Sequence, residues 1–119
     1  MAGKGRGYGR LEVRRGDVVT IVLPGAYGKP RPALVTQSDL FDALGSVTIL
    51  PITGELRAAP LLRIPIEPTA DNGLRKKSQI MIDKTQTVPR DKVGSTIGSV
   101  HPDTLIEVNR SLATFLGMG

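Results

Sequence analysis

One arginine, one threonine and one aspartate carry most of the chemistry that this 119-residue sequence offers. Arg31 stands between Pro30 and Pro32, after a stretch (residues 24–30) whose Gly and Pro content marks it as a loop. The two prolines restrict the backbone around Arg31 and hold it off helical geometry. A guanidinium on so stiff a mount suits a phosphate or a carboxylate, although a surface arginine with no function fits the same spacing. Thr53 ends one apolar run, and Asp83, followed by Lys84, lies near the end of another. Together Arg31, Thr53 and Asp83 suit cleavage of a phosphodiester by an RNA 2′-hydroxyl. That reaction needs a group to accept the 2′ proton and one to stabilise charge on the phosphorane, but no metal. The plainer alternatives are strand-end hydrogen bonding for Thr53 and a solvated strand position for Asp83.

Other chemistries find fewer residues. With one histidine and no cysteine there is no thiolate metal site, no disulfide framework and no two-histidine ribonuclease centre. Asp103 and Glu107 stand one helical turn apart, where they complement a helix dipole rather than chelate an ion. A Ser-His-Asp arrangement would have to use His101, whose place at a helix start reads as structural. Gly25 and Gly28 sit in a hairpin loop and not ahead of a helix, so they form no phosphate cradle of that type. Tyr8, Tyr27, Phe41 and Phe115 are the only aromatic residues. With Phe115 expected in the core, extended base stacking cannot dominate recognition, and Tyr27 is the best-placed stacking residue.

Several short strands must position these groups. Residues 18–23 form a β-branched apolar block, and a second strand follows Arg31 through Leu34 and Val35. Residues 38–44 read as a short helix or turn with Ser38 as N-cap and Gly45 as its end. Residues 46–53 form a third strand, with Pro51 marking an edge or a bend. Residues 62–66 form a fourth. A loop over 68–77 turns on Asp71, Asn72 and Gly73. Residues 78–84 alternate as a further strand, with Ile80 and Ile82 on one face and Gln79, Met81 and Asp83 on the other. Residues 86–88 extend it past a bulge, 89–93 form a turn, and 96–100 a last strand. A helix then opens at His101-Pro102-Asp103, carries Leu105, Val108, Leu112 and Phe115 at helical spacing, and stops at Gly117. Short strands with one terminal helix predict a mainly β (α+β) fold, a small barrel with a C-terminal α-helix.

The chain has the length of one domain, and no apolar run approaches the ~20 residues a membrane helix needs. Its Gly- and Arg-rich start has no apolar h-region, so a soluble cytoplasmic protein is expected. Residues 1–15 carry a net +4 of the formal +5, while the rest holds 11 basic against 10 acidic residues. The high pI is therefore mostly a property of the start and does not by itself make the body a nucleic-acid binder. Residues 1–13 are expected to be a disordered tail, with residues 14–119 as the folded domain.

In order along the chain, several segments resemble the MazF/PemK family of toxin endoribonucleases. They are Arg15-Gly16-Asp17-Val18-Val19, Arg31-Pro32-Ala33-Leu34-Val35, Leu50-Pro51-Ile52-Thr53, Gly73-Leu74 with Ser78, Asp83 through Thr87, Ile97-Gly98, and the helix end Leu116-Gly117. The resemblance implies an SH3-like barrel of the CcdB/MazF/PemK kind, a homodimer, and metal- and cofactor-independent cleavage of single-stranded RNA at short sequences. It also implies a cognate antitoxin whose disordered acidic segment occupies the RNA groove. By position, Arg31 is similar to the family's catalytic arginine and Thr53 to its catalytic threonine. Ser78 is similar to a serine lining the groove, and Asp83 to an acidic base of one branch, in which an arginine stands where this chain has Met81. On that reading Tyr27, Lys29, Lys77, Ser78 and Lys84 are the expected RNA contacts. Two other readings keep the barrel. One is a CcdB-like toxin that poisons gyrase through the C-terminal helix, and the other is a non-catalytic nucleic-acid-binding barrel with affinity from the tail.

Overall fold

The computed structural model describes residues 12–22 and 28–118. Seven strands are ordered β1 (Asp17–Ile21), β2 (Arg31–Val35), β3 (Ser46–Thr53), β4 (Arg63–Ile66), β5 (Ser78–Met81), β6 (Gln86–Pro89) and β7 (Val93–Ser99), followed by helix α1 (Pro102–Phe115). They form one sheet in the order β4-β5-β3-β2-β1-β7, with β6 also paired to β3 and every pairing antiparallel. This open, barrel-like sheet with a terminal helix is the mainly β architecture that the sequence predicts.

The spine is β3. Along one edge it pairs with β2, and along the other Ser46–Ile49 pairs with β6 and Ile52 and Thr53 with β5. Pro51 falls at the junction between those two partners, a position where a central strand tolerates a residue without an N–H. Apolar residues alternate along these strands, so each face of the sheet buries its own cluster. Val18, Leu34, Leu50, Ile52, Ile80 and Ile82 lie on the face covered by Val108 of α1. Val19, Ile21, Ala33, Val35, Val47 and Ile49 lie on the other. Val13 is buried in this second cluster, so the packed body reaches back past Arg14 into a residue expected to belong to the tail.

Three further expectations are corrected. The strand predicted over residues 78–84 ends at Met81, and Ile82–Lys84 forms a 3-10 turn. Its register with β4 ends at the Arg63–Met81 pair, and the Ile82 amide then donates to the Leu62 carbonyl as the chain turns. Phe115, expected in the core, is 46% exposed, because only Val108 of α1 is fully covered. The last strand begins at Val93 rather than at residue 96. His101, as expected, is structural: it caps α1, its Nδ1 accepting from the Asp103 amide at 3.1 Å. No helix among the described residues is long and apolar enough to cross a membrane.

Candidate active site

Arg31 and Thr53 stand at the same end of the neighbouring antiparallel strands β2 and β3. Ala33 lies opposite Pro51, and both Arg31 and Thr53 stand two residues further along their antiparallel strands. By alternation both share a face with Ala33 and Pro51, Arg31 at the start of β2 and Thr53 at the end of β3. Known pairs flank this Arg31–Thr53 rung: Ile21 beside Arg31, Gln79 beside Thr53, and Pro65 beside Gln79. It lies at the edge of the second apolar cluster, at the end of the sheet where residues 22–30 join β1 to β2.

Arg31 is exposed and begins β2, and its side chain has no hydrogen bond or ion pair among the described residues. Its five N–H donors are open to a ligand. The Thr53 hydroxyl accepts from the Glu55 amide at 3.0 Å. With a lone pair so engaged, its proton is left to donate toward the same face. A free guanidinium beside an oriented hydroxyl can hold two oxygens of one phosphate.

The segment after Thr53 is held by a polar lock that the sequence did not reveal. The Gln79 side chain spans the backbone of Arg57, its Oε1 accepting from the amide at 3.0 Å and its Nε2 donating to the carbonyl at 2.9 Å. Arg63 Nη1 donates to the same Oε1 at 3.0 Å and to the Glu55 carbonyl at 2.8 Å. Arg57 turns outward to the Glu55 carboxylate at 3.2 Å. Lys76 passes over Gly54, where a Cβ would lie 2.3 Å from its Cε. Three cations (Arg57, Arg63 and Lys76) thus gather at the segment after Thr53. Gln79 was legible only as a member of one strand face. Arg63 and Lys76 enter through pairings across the sheet that local spacing does not encode.

Other expected residues stand elsewhere or are engaged. Asp83 lies four residues beyond Gln79, in the 3-10 turn that follows β5. There it pairs with Lys84 at 3.6 Å. Ser78 is buried, and its hydroxyl donates to the Lys76 carbonyl at 3.0 Å, so it shapes the start of β5 rather than presenting a contact. Lys77 pairs with Glu67 at 3.6 Å, and Lys29 is exposed two residues before Arg31. Tyr27 lies outside the described residues. Among the described residues, no group of three or more His, Cys, Asp or Glu side chains could hold a metal ion.

Residues 14–116 match the family described as PemK-like, MazF-like toxins of type II toxin–antitoxin systems. A probable endoribonuclease MazF of Mycolicibacterium smegmatis is 48% identical over 107 residues, covering 89% of this chain and 98% of that protein. An endoribonuclease solved in complex with its cognate antitoxin, from a mycobacterial species, superimposes with a TM-score of 0.76 at 25% identity, covering 90% of this chain and 97% of that one. The Mycobacterium tuberculosis toxin MazF-mt6 does so with 0.74 at 25% identity, covering 87% and 98%.

Proposed function

This chain belongs to the PemK-like, MazF-like toxins of type II toxin–antitoxin systems, and on that premise we propose that the Arg31–Thr53 rung is where it cleaves RNA. The protein is an endoribonuclease toxin, an mRNA interferase with a cognate antitoxin as partner. What supports the site assignment is that β2 and β3 run antiparallel with Arg31 and Thr53 at the same end, the Arg31 guanidinium unpaired among the described residues and the Thr53 hydroxyl oriented by the Glu55 amide.

The RNA 2′-oxygen attacks the adjacent phosphorus after losing its proton, and the bond from phosphorus to the 5′-oxygen breaks. The products are a 2′,3′-cyclic phosphate and a 5′-hydroxyl, and the leaving oxygen takes up a proton. Arg31 stabilises the charge that builds on the phosphorane, and the Thr53 hydroxyl donates to a non-bridging oxygen and fixes the phosphate against it. The reaction draws on no metal in this scheme. Asp83 is assigned no proton transfer within the same subunit, since it lies in the 3-10 turn after β5 and pairs with Lys84. The toxin acts in the cytoplasm on single-stranded RNA, and an acidic segment of the antitoxin neutralises it by occupying the same cations. Two copies form the working unit. Exposed Ile106, Phe115, Leu116 and Met118 on and after α1 support a further contact, which sedimentation at micromolar protein tests by its mass.

Incubating purified protein with a mixed single-stranded RNA pool in EDTA tests the site. Cleavage by the wild type, with mapped 5′ ends falling at a short shared sequence and loss of cutting in a folded Arg31→Ala variant, is the expected result. Undiminished cutting by that variant overturns the assignment.

A further inference from the structure

We propose that Arg63 forms a second phosphate-binding position beside the Arg31–Thr53 rung, holding the neighbouring phosphate of the same RNA, an inference that rests on the assignment of cleavage to that rung. Arg63 begins β4, and its half-buried side chain reaches back over β5 to the segment that follows Thr53. Nη1 spends its two hydrogens on the Glu55 carbonyl and on Gln79 Oε1, both neutral oxygens. The Nε–H and both Nη2 hydrogens remain, three of the five donors of a guanidinium. No carboxylate pairs with it among the described residues, because the Glu55 carboxylate is taken by Arg57. A positive charge anchored by neutral acceptors, with half its fork open, is preorganised for an anion rather than neutralised by the fold.

Its mount is equally specific. The two bonds from Gln79 to the Arg57 backbone fix the direction of the amide, so Oε1 cannot turn away from Arg63 without breaking both. Gln79 is the register partner of Thr53, which places Arg63 on the flank of Thr53 opposite Arg31. Lys76, likewise without a carboxylate partner among the described residues, lies over Gly54. A strand whose scissile phosphate rests at Arg31 and Thr53 must carry its next phosphate within one nucleotide, and Arg63 is the anchored, uncompensated cation on that flank. Gln79 is accordingly a positioning residue, which acts on RNA only through Arg63.

The test uses a short RNA around a cut site mapped in the pool experiment, with a 2′-deoxy sugar at the scissile nucleotide so that it binds without reacting. A set of these oligonucleotides carries one neutral methylphosphonate at each phosphate in turn. For the wild type, affinity falls about tenfold at two adjacent phosphates, the scissile one and its neighbour. In Arg63→Ala the neighbour's methylphosphonate ceases to matter while the scissile one still does. The slope of log affinity against log salt also falls by about 0.7. Gln79→Met, which keeps the charge of Arg63 and removes its mount, likewise loses the effect at the neighbouring phosphate, with melting curves confirming that both variants are folded. Equal sensitivity of wild type and Arg63→Ala at the neighbour overturns the proposal. So does loss of antitoxin affinity with RNA binding intact, which would assign Arg63 to an acidic protein segment. Failure of the all-ribose RNA to be cut by the wild type is a separate result and sinks the assignment of the rung instead.

Discussion

Arg31 owes its chemistry to what surrounds it as much as to its charge. It begins β2 between two prolines, at the end of the strand pair that also carries Thr53, and its exposed side chain has no protein acceptor among the described residues. Removing a preorganised donor to a developing oxyanion costs about 2.7–4 kcal/mol of transition-state stabilisation, so Arg31→Ala is expected to lower kcat by about 10²–10³-fold with little change in melting temperature. Arg31→Lys keeps the charge but not the planar fork, and single-turnover kinetics should place it well below the wild type rather than near it. Asp83→Asn is the contrasting case. Its carboxylate is 27% exposed and its partner Lys84 58% exposed, a pair worth at most about 1 kcal/mol. Cleavage within about threefold of wild type is expected, and a loss as deep as that of Arg31→Ala would restore Asp83 as the base. Arg31 and Thr53 were legible in the sequence because prolines and a strand end mark them locally. Asp83 was misplaced because alternation was continued past Met81, where pairing with β4 runs out and the backbone turns.

At the level of elements, the crossing of the 67–74 loop over β7 shows what holds the sheet in shape. Asn72 is buried, with Oδ1 accepting from the Thr69 and Leu74 amides at 3.0 and 2.9 Å and Nδ2 donating to the Glu67 carbonyl at 2.9 Å. This wheel of bonds brings the loop so near β7 that a Cβ at Gly98 would sit 2.3 Å from the Asp71 carbonyl oxygen and 2.4 Å from the Asn72 carbonyl carbon. Those atoms are backbone and cannot swing aside. Gly98→Ala is expected to cost about 2–3 kcal/mol, lowering Tm by about 10 °C, while RNA cleavage at low temperature persists because neither Arg31 nor Thr53 is altered. An unchanged melting temperature would mean that loop and strand separate at no cost. The turn itself was legible from Asp71, Asn72 and Gly73. What it crosses was not, since Gly98 reads in sequence as one more small residue in a strand. The helix was read closely at its start, where His101 and Pro102 act locally, and wrongly at Phe115, whose exposure depends on how far the sheet extends beneath it.

Across the whole molecule the fold and the charge follow separate rules. The topology hangs on β3, which serves three partners, and no local pattern announces that one eight-residue strand will be shared between β6 and β5. The resemblance of collinear segments to a known family implied an SH3-like barrel, which periodicity alone could not, but not this sharing of β3. Charge was easier to read. Residues 1–11 hold Lys4, Arg6 and Arg10 and no acid, so they supply +3 of the formal +5. The cations around Thr53 belong instead to the folded body and are fixed by register and by Gln79. Two kinds of RNA affinity should therefore separate. Deleting residues 1–11 is expected to flatten the slope of log affinity against log salt by up to about 2, as three phosphate contacts on a single strand would. The cleavage rate at saturating RNA and the mapped cut sites should stay as they are, because neither Arg31 nor Thr53 has been touched. If the deletion shifts the cut sites, residues 1–11 take part in selecting sequence, and the body alone does not set specificity. An unaltered salt slope would place all of the phosphate contacts in the groove.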